Sequence, residues 1–506
     1  MEWKASDNAQ LEKKGIPEAE VIRQVSCLQE TAHFVETLAP AVDGNGMYVM
    51  QPDEMSQYVN QYQDLLQNRR VVKFVPASGA ATRMFKKWFQ LLENGTEEEL
   101  AGEAAQWPSY PFYPVLERAM AAQGKNLREA MAKRDYRAVI SFMLQPEGLN
   151  YGQMPKGLLP FHLYGDEIRT AFEEHWVEGA VYARTGQTVH LHFTVSPEHR
   201  AAFQALTEEL KRKYEKNGVR YEVGFSEQMP QTDTVSLTEE GKLLRDEAGN
   251  LVFRPGGHGS LIHNLNALDA DYVFIKNIDN VTVDARKADT YDYKRSLLGL
   301  LVMIERHCFR YAALLETEKL SEEEEPNLQQ MITILLGQRL PDTWASFDRQ
   351  ARLAYYRKVV NRPIRVCGMV ARENEPGGGP FWVRTSAGVS LQIVETAEMD
   401  LNRTDQKNCL EQSTYFNPVD LVCGLKNFKG EKFNLLDHVD LQRYFLAEKS
   451  YKGQKIKVLE HPGLWNGAMA DWNTVFVRVP VSTFTPVKEV RDLLRPAHVN
   501  SPLSAE

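Results

Sequence analysis

A chain of 506 residues is longer than one hydrophobic core usually serves, so two or three domains are expected. With 43% hydrophobic and 25% charged residues, it has the composition of a soluble globular protein. A net charge of −9 excludes a general role on nucleic acid or on a membrane surface, both of which need basic patches. The five scattered cysteines form no CxxC pair, which indicates neither a zinc site nor a disulfide framework. The first residues, MEWKASDNAQLEKKG, lack the apolar stretch of a signal peptide. No apolar run reaches the ~18–20 residues of a membrane helix, so a cytoplasmic location is expected.

In chain order, residues 1–70 read as a helical segment. Val21, Ile22, Val25, Leu28 and Ala32 fall near helical spacing over Glu18–Leu38, and Met55–Leu66 reads as a second helix. The β-branched run Val71–Val75 then leads into Pro76–Met84, PASGAATRM, and a helix over Phe85–Leu92. Strand, small-residue turn and helix is a geometry that turns backbone N–H groups toward phosphate oxygens, and Arg83 adds a bidentate donor. The run is neither a Walker A loop nor a GxGxxG fingerprint. Taken alone it reads either as a phosphate loop or as a tight strand-to-helix turn. A helical insertion, placed at 86–150, carries the solvated run Glu97–Glu99. After it Lys156 sits between Pro155 and Pro160, a rigid setting that suits either a point-charge phosphate contact or a surface loop.

Thr188–Val195 alternates as a strand and Ser196 opens a helix through Arg212. His190 and His192 share one strand face but have no third ligand in the pattern, so they read as core or exposed histidines rather than a metal pair. Tyr221–Phe225 is a further strand, followed by Gln228, and Asp246–Asn250 reads as a hairpin turn. Arg254–Ser260, RPGGHGS, opens a helix over Leu261–Leu268. Tyr272–Ile275 is a buried strand that feeds into Lys276, Asn277, Asp279 and Asn280. A strand ending in Asp and Asn delivers oxygen ligands to the carboxyl edge of a sheet, where open α/β sheets hold their ligands.

Ser296–Glu316 is amphipathic, and helix continues to about Val360. Strands are expected at Val366–Val370, Phe381–Val383, Ser390–Glu395 and Thr474–Val481, with Pro376–Pro380 as a loop. The fold class is α/β, a mixed and mainly parallel sheet flanked by helices. Its expected segments are the N-terminal helices at 1–70, an α/β core at 71–300, a helical segment at 301–360 and a smaller C-terminal part at 361–506.

The order of these segments resembles the nucleotide-sugar pyrophosphorylases, nearest in several places to the UTP–glucose-1-phosphate uridylyltransferases. Pro76–Met84 resembles their PAxGxGTRM loop, Pro155–Pro160 their PKxxLP element, and Gln228–Gln231 their Gln-x-x-Pro element. PGGHG followed by FIKNIDNVTVD is similar to their PPGHG, strand and NIDN. Leu391–Met399 resembles LxLVEIAQ, Phe416-Asn417 the start of FNxNN, and Val481–Leu494 resembles RFxPVKxxxDLL. The likeness is discontinuous over roughly 71–494. Ser78 and Ala81 stand where the family often has glycine, and Asp420 replaces the second Asn of FNxNN.

The resemblance implies a nucleotidyltransferase fold, GT-A-like and Rossmann-like, in an enzyme that uses Mg²⁺. A sugar 1-phosphate would attack the α-phosphorus of a nucleoside triphosphate, with UTP favoured, and expel pyrophosphate. It implies Asp279 as metal ligand, with Arg83, Lys156 and Lys488 on the phosphates. Ser78, Gly79, Ala80, Gln228, Gly257 and His258 would hold the nucleotide, and Glu395 and Asn417 the sugar. Two alternatives stay open: an inactive nucleotide-sugar binding protein, and a GT-A glycosyltransferase, which would want DxD where this chain has Ile278-Asp279-Asn280.

Overall fold

The computed structural model describes residues 3–30, 33–65, 67–373, 377–385 and 388–500. Ala32, in the first expected helix, Leu66, at the end of the second, and Pro376, in the expected loop, lie outside the described residues. The chain divides into two interleaved compact units. The first holds Met1–Leu65, Ser226–Phe274 and Ser296–Val479, and the second holds Leu66–Phe225, Ile275–Arg295 and Pro480–Glu506. The stretch expected as one nucleotide-binding core, 71–300, therefore contributes to both units.

In the second unit, Val71–Pro76 pairs in parallel with Thr188–Thr194, from Val72 opposite His190 to Pro76 opposite Thr194. Arg184–Thr185 runs antiparallel to that strand, and Arg220–Ser226 pairs with it as well. Every residue of Val71–Val75 is buried, which explains the unbroken apolar run around Lys73. The helix Ala171–Tyr182 begins where the Thr170 side chain caps the Glu173 amide.

The expected insertion is helical, as Lys86–Asn94, Glu97–Ala104, Tyr113–Ala122, Leu127–Ala132 and Tyr136–Leu144. It is not a loose appendage. Trp88, Trp107, Tyr110 and Phe112 are all at 0–1% exposure and join the same core as Val75, Phe172 and Phe193. Buried Glu103 satisfies the Trp88 indole (3.0 Å) and accepts from Lys87 and Arg491 (2.7 Å each). His190 is buried and His192 half-buried. His190 meets Glu222 at 3.0 Å, and His192 stacks on Phe74 at 5.7 Å. Burial pushes His192 down to about 4.

The first unit contains strands Val42–Asp43, Gly46–Tyr48, Asn473–Arg478, Ile364–Ala371 and Tyr415–Gly424 in that spatial order. Ile364–Ala371 is parallel to Asn473–Arg478 and antiparallel to Tyr415–Gly424. Two smaller sheets in this unit are wholly antiparallel. One runs Glu36–Pro40, Gly379–Thr385, Gly388–Val394, Gln338–Arg339. The other runs Ser236–Thr238, Gln454–Glu460, Phe445–Tyr451. The architecture is thus α/β with mixed pairing, and outside the smaller antiparallel sheets the strand pairs are mainly parallel, as expected from alternating helices and strands.

The N-terminal segment is also only partly helical. Helices Ala5–Lys14, Glu18–Gln29 and Pro52–Leu65 flank three short strands within 36–48. The helix expected to reach Leu38 ends at Gln29 because Thr37 and Pro40 pair with Val383 and Phe381, a tertiary contact that overrides spacing. The first two helices bury Leu11, Val21, Val25 and Leu28 against Val235, Leu237 and Leu459 of the three-stranded sheet. Arg245 clamps Asp7 at 2.8 Å over the same contact.

Candidate active site

The loop expected to bind phosphate grows directly from the strand Val71–Pro76. Ser78, Gly79 and Ala80 are exposed, and Ala81–Arg83 forms a single 3-10 turn ahead of the helix Lys86–Asn94. A methyl group built on Gly79 meets nothing within 4 Å, so the loop presents open space to a ligand. Ala81 behaves differently: it is fully buried, and its N–H donates to the Met154 carbonyl at 2.9 Å. Its departure from glycine therefore serves packing and leaves the exposed loop face unaltered. Arg83 closes the turn on the exposed side.

Lys156 is locked to this loop through its backbone, its N–H donating to the Gly79 carbonyl at 3.2 Å. Its ammonium donates to Asp279 Oδ2 and to the Val487 carbonyl, both at 2.7 Å. The Val487 N–H in turn donates to the Asp279 carbonyl at 3.0 Å. Asn280 accepts the Thr485 N–H at 2.9 Å and bridges to Pro486. Gly79, Lys156, Asp279 and the Val487–Lys488 backbone thus converge within the second unit, although Lys156 and Val487 are 331 residues apart. Lys488 itself is exposed, its N–H donating to Asp492 at 2.8 Å and its ammonium 5.8 Å from the Phe484 ring centre.

A second group assembles in the first unit. Gly257 has φ +79°, a conformation that favours glycine, and an added methyl would meet Glu460 Oε2 at 2.8 Å. The next residue, His258, stacks on Trp465 with ring centres 4.3 Å apart. Its Nδ1 accepts the Leu464 N–H at 3.1 Å, which leaves the proton on Nε2, 3.9 Å from Glu395 Oε1. Burial pushes the His258 imidazole toward its neutral form, against the Glu395 and Glu460 carboxylates.

Glu395 is held by its neighbours. Its N–H donates to Glu398 Oε2 at 2.8 Å, and Glu398 is paired with Arg443 at 2.7 Å. Asn417 is buried at 5% exposure, and its N–H donates to the Gly378 carbonyl at 2.8 Å. A methyl on Gly378 would meet Glu395 Cγ at 3.2 Å, so the Gly378 turn links Asn417 to Glu395. Gln228 is half-buried, just past Ser226 and Glu227, which Asn264 fixes at 2.8 Å each.

Three features of this group escape sequence reasoning. Trp465, the stacking partner of His258, lies more than 200 residues downstream. His461 links the loops on either side by donating its backbone N–H to Gly256 O and meeting Thr232 O through Nε2, each at 2.8 Å. The third is Val419, at φ 60° although β-branched. It occupies a position where FNxNN carries Asn, a residue that tolerates this conformation. The Asn417 side chain accepts the Val419 N–H at 3.0 Å, and the strand register slips here between Gly368 and Val370. Asn417 therefore holds a strained bulge in place.

Among the described residues, no group of three or more His, Cys, Asp or Glu could hold a metal ion. Asp279 offers one carboxylate, whose Oδ2 is engaged by Lys156. Such a donor set fits Mg²⁺ as an ion carried mainly by water and phosphate oxygens with one protein oxygen. It does not build a protein-caged metal.

A family model described as a domain of unknown function (DUF4301) matches residues 4–499. No curated protein matches the chain. Similar solved structures include the uridine diphosphate N-acetylglucosamine pyrophosphorylase from Trypanosoma brucei, in complex with inhibitor (TM-score 0.48, 14% identity, covering 97% of this chain and 79% of that one). A UDP-glucose pyrophosphorylase mutant from Leishmania major, in complex with UDP-glucose, has a TM-score of 0.44 at 13% identity, covering 97% and 79%. A UDP-glucose phosphorylase from Trypanosoma brucei has a TM-score of 0.47 at 14% identity, covering 97% and 77%. Among the described residues no helix is long and apolar enough to cross a membrane.

Proposed function

The chain belongs to the DUF4301 family, and on that premise we propose that it is a sugar-1-phosphate nucleotidyltransferase. It joins a nucleoside triphosphate, with UTP favoured, to a sugar 1-phosphate and releases pyrophosphate. The observation that carries this reading is the junction of Gly79, Lys156, Asp279 and Val487 by hydrogen bonds of 2.7–3.2 Å. Four segments remote in sequence meet there around one ammonium and one carboxylate. The motif order of the chain, from PASGAATRM to the TPVKEVRDLL segment, supports the same reading.

Phosphoryl-type transfer asks the protein for alignment and charge compensation more than for covalent chemistry. The open space at Gly79 lets the triphosphate approach the backbone. Lys156 is preorganised by its two acceptors, so its charge needs no reorganisation to meet a phosphate oxygen. Arg83 and Lys488, both exposed, supply further positive charge. Mg²⁺, held through Asp279, would offset the charge that builds on the phosphates.

The neutral His258 and Gln228 suit an uncharged base and ribose. Glu395 and Asn417 suit sugar hydroxyls, where hydrogen-bonding groups discriminate strongly. The test is pyrophosphate release across a panel of triphosphates and sugar 1-phosphates. Mg²⁺-dependent release that vanishes in Asp279→Ala is expected. Tight nucleotide-sugar binding with no turnover on any pair would overturn the transferase in favour of a binding protein.

A further inference from the structure

The helix Ala171–Tyr182 buries Glu174, His175 and Glu178, all at 0% exposure. A buried helix face is ordinarily apolar, so three ionisable groups on one helix need a reason. Glu178 is the hub. Its Oε2 accepts from Lys73 at 2.9 Å and from the Tyr182 hydroxyl at 2.8 Å. The Lys276 ammonium lies 3.0 Å from each Glu178 carboxylate oxygen. One turn earlier, His175 Nε2 meets the Ile278 carbonyl at 3.1 Å. A third ammonium, on fully buried Lys294, lies 5.9 Å from the Tyr182 ring centre.

The two lysines gripped by Glu178 come from the two strands that carry the phosphate-side groups. Lys73 lies in Val71–Pro76, which opens into the Ser78-Gly79-Ala80 loop. Lys276 ends the strand Tyr272–Lys276, just before Asp279, and Ile278 is Asp279's immediate neighbour. We propose that Glu178 is a positioning residue for the transfer reaction, one that fixes the spacing between the phosphate loop and Asp279 by holding Lys73 and Lys276 together. This inference rests on the transferase reading.

Stability alone does not account for the cluster. Desolvating a buried ionic group often costs as much as its pairing returns, and apolar replacements of similar volume are often neutral or stabilising. One carboxylate here serves two ammonium groups, with a third nearby. Burial and the Lys276 and Lys294 charges bring Lys73 down to about 7, against the pull of Glu178. A costly cluster directly behind the two elements that must be aligned is accounted for by the geometry it enforces.

The experiment compares the full-length wild type with the triple variant Lys73→Met/Glu178→Leu/Lys276→Met, and with Lys73→Met alone. Thermal unfolding, kcat and KM for the triphosphate are measured on each. The triple variant is expected to keep or raise its melting temperature while kcat falls about a hundredfold, the scale of a small misalignment. KM should change by less than about threefold, since binding groups are untouched.

Lys73→Met leaves Glu178 and Lys276 as a matched pair and so covers the case of a misfolded triple variant. Its kcat is expected to fall about tenfold with the fold intact. A kcat within about twofold of wild type in folded Lys73→Met, or a loss matched by loss of folded protein, overturns the inference. An active wild type beside an unaffected variant removes this inference alone. A wild type silent on every substrate pair removes the transferase reading and this inference together.

Discussion

The two candidate regions handle charge in opposite ways. In the second unit, Lys156 and Asp279 form a direct ion pair, each partly exposed, and backbone hydrogen bonds hold both in register. In the first unit, His258 is pushed toward neutrality and stacked on Trp465, and Glu395 stands 3.9 Å away without a hydrogen bond to it. Positions there are set by backbone shape, through Gly257 at φ 79° and Val419 at φ 60°. Charge, once paired and anchored, suits a polyanion. A neutral ring beside a carboxylate on a stiff backbone suits, on the proposed reading, the choice between similar hydroxyls and bases.

The sharpest way to break this comparison is Asp279→Ala, for which pyrophosphate release is expected to fall about 10³-fold. Lys156→Met should cost about 10²-fold in kcat/KM. Lys156→Arg should not rescue it, because a planar guanidinium cannot replace one ammonium donating to both Asp279 and Val487. Steady-state kinetics on purified variants checks both.

Acid should act on the second unit through His498, which is buried at 4% exposure and meets His162 at 2.9 Å. Burial and the His162 and Arg495 charges bring it down from 6.5 to about 3. Below pH 6.5 the unfolded chain binds a proton that the folded chain refuses, so stability is lost as pH falls from 6.5 toward 3. At pH 5 the loss from this group is about 2 kcal/mol, readable by urea unfolding at pH 7 and pH 5. His498→Phe should lessen that dependence without removing it, because His192, pushed down to about 4, loses stability over the same pH range.

Smaller effects separate the regions further. Glu395→Gln or Asn417→Ala should lower discrimination between epimeric sugar 1-phosphates by at least about tenfold, measured as the ratio of their kcat/KM values. The two glycines give the finest contrast. Gly257→Ala should destabilise by about 1–2 kcal/mol, since it adds strain at positive φ and a contact with Glu460. Gly79→Ala should leave unfolding unchanged within about 0.5 kcal/mol while raising KM for the triphosphate, because its methyl meets only ligand space. Equal stability losses at both glycines would erase the distinction drawn here.

Much of the junction around Lys156 was legible in the sequence because each part is local. The strand into PASGAATRM and the strand into Asp279 appear as expected, whereas the proline-flanked Lys156, expected on an extended segment, opens a short 3-10 turn. Their partnership was not legible, since Lys156 and Asp279 are 123 residues apart and no local pattern encodes the bond. Tyr415–Gly424 was missed as a strand because all ten residues are buried, which erases the alternation that marks a strand. The hairpin of Phe445–Tyr451 and Gln454–Glu460 was missed although Lys452-Gly453 supplies its turn, both residues at positive φ. Ala81 looked like a defect in the phosphate loop because burial cannot be read from a motif. The interleaving of the two units was equally hidden, because contiguous stretches of sequence gave no sign of sharing.

The bond from Lys156 to the Val487 carbonyl has a consequence for biosynthesis. Translation runs from the N-terminus at ~5–20 residues per second, so Lys156 leaves the ribosome roughly 15–70 s before its acceptor, 331 residues later. During that interval the nascent polypeptide carries the glycine loop and, for most of the time, Asp279, but not the segment that clasps them. On the proposed transferase reading, a ribosome-bound chain stalled short of residue 480 should therefore be catalytically silent, and activity should appear only once the segment around Val487 has emerged.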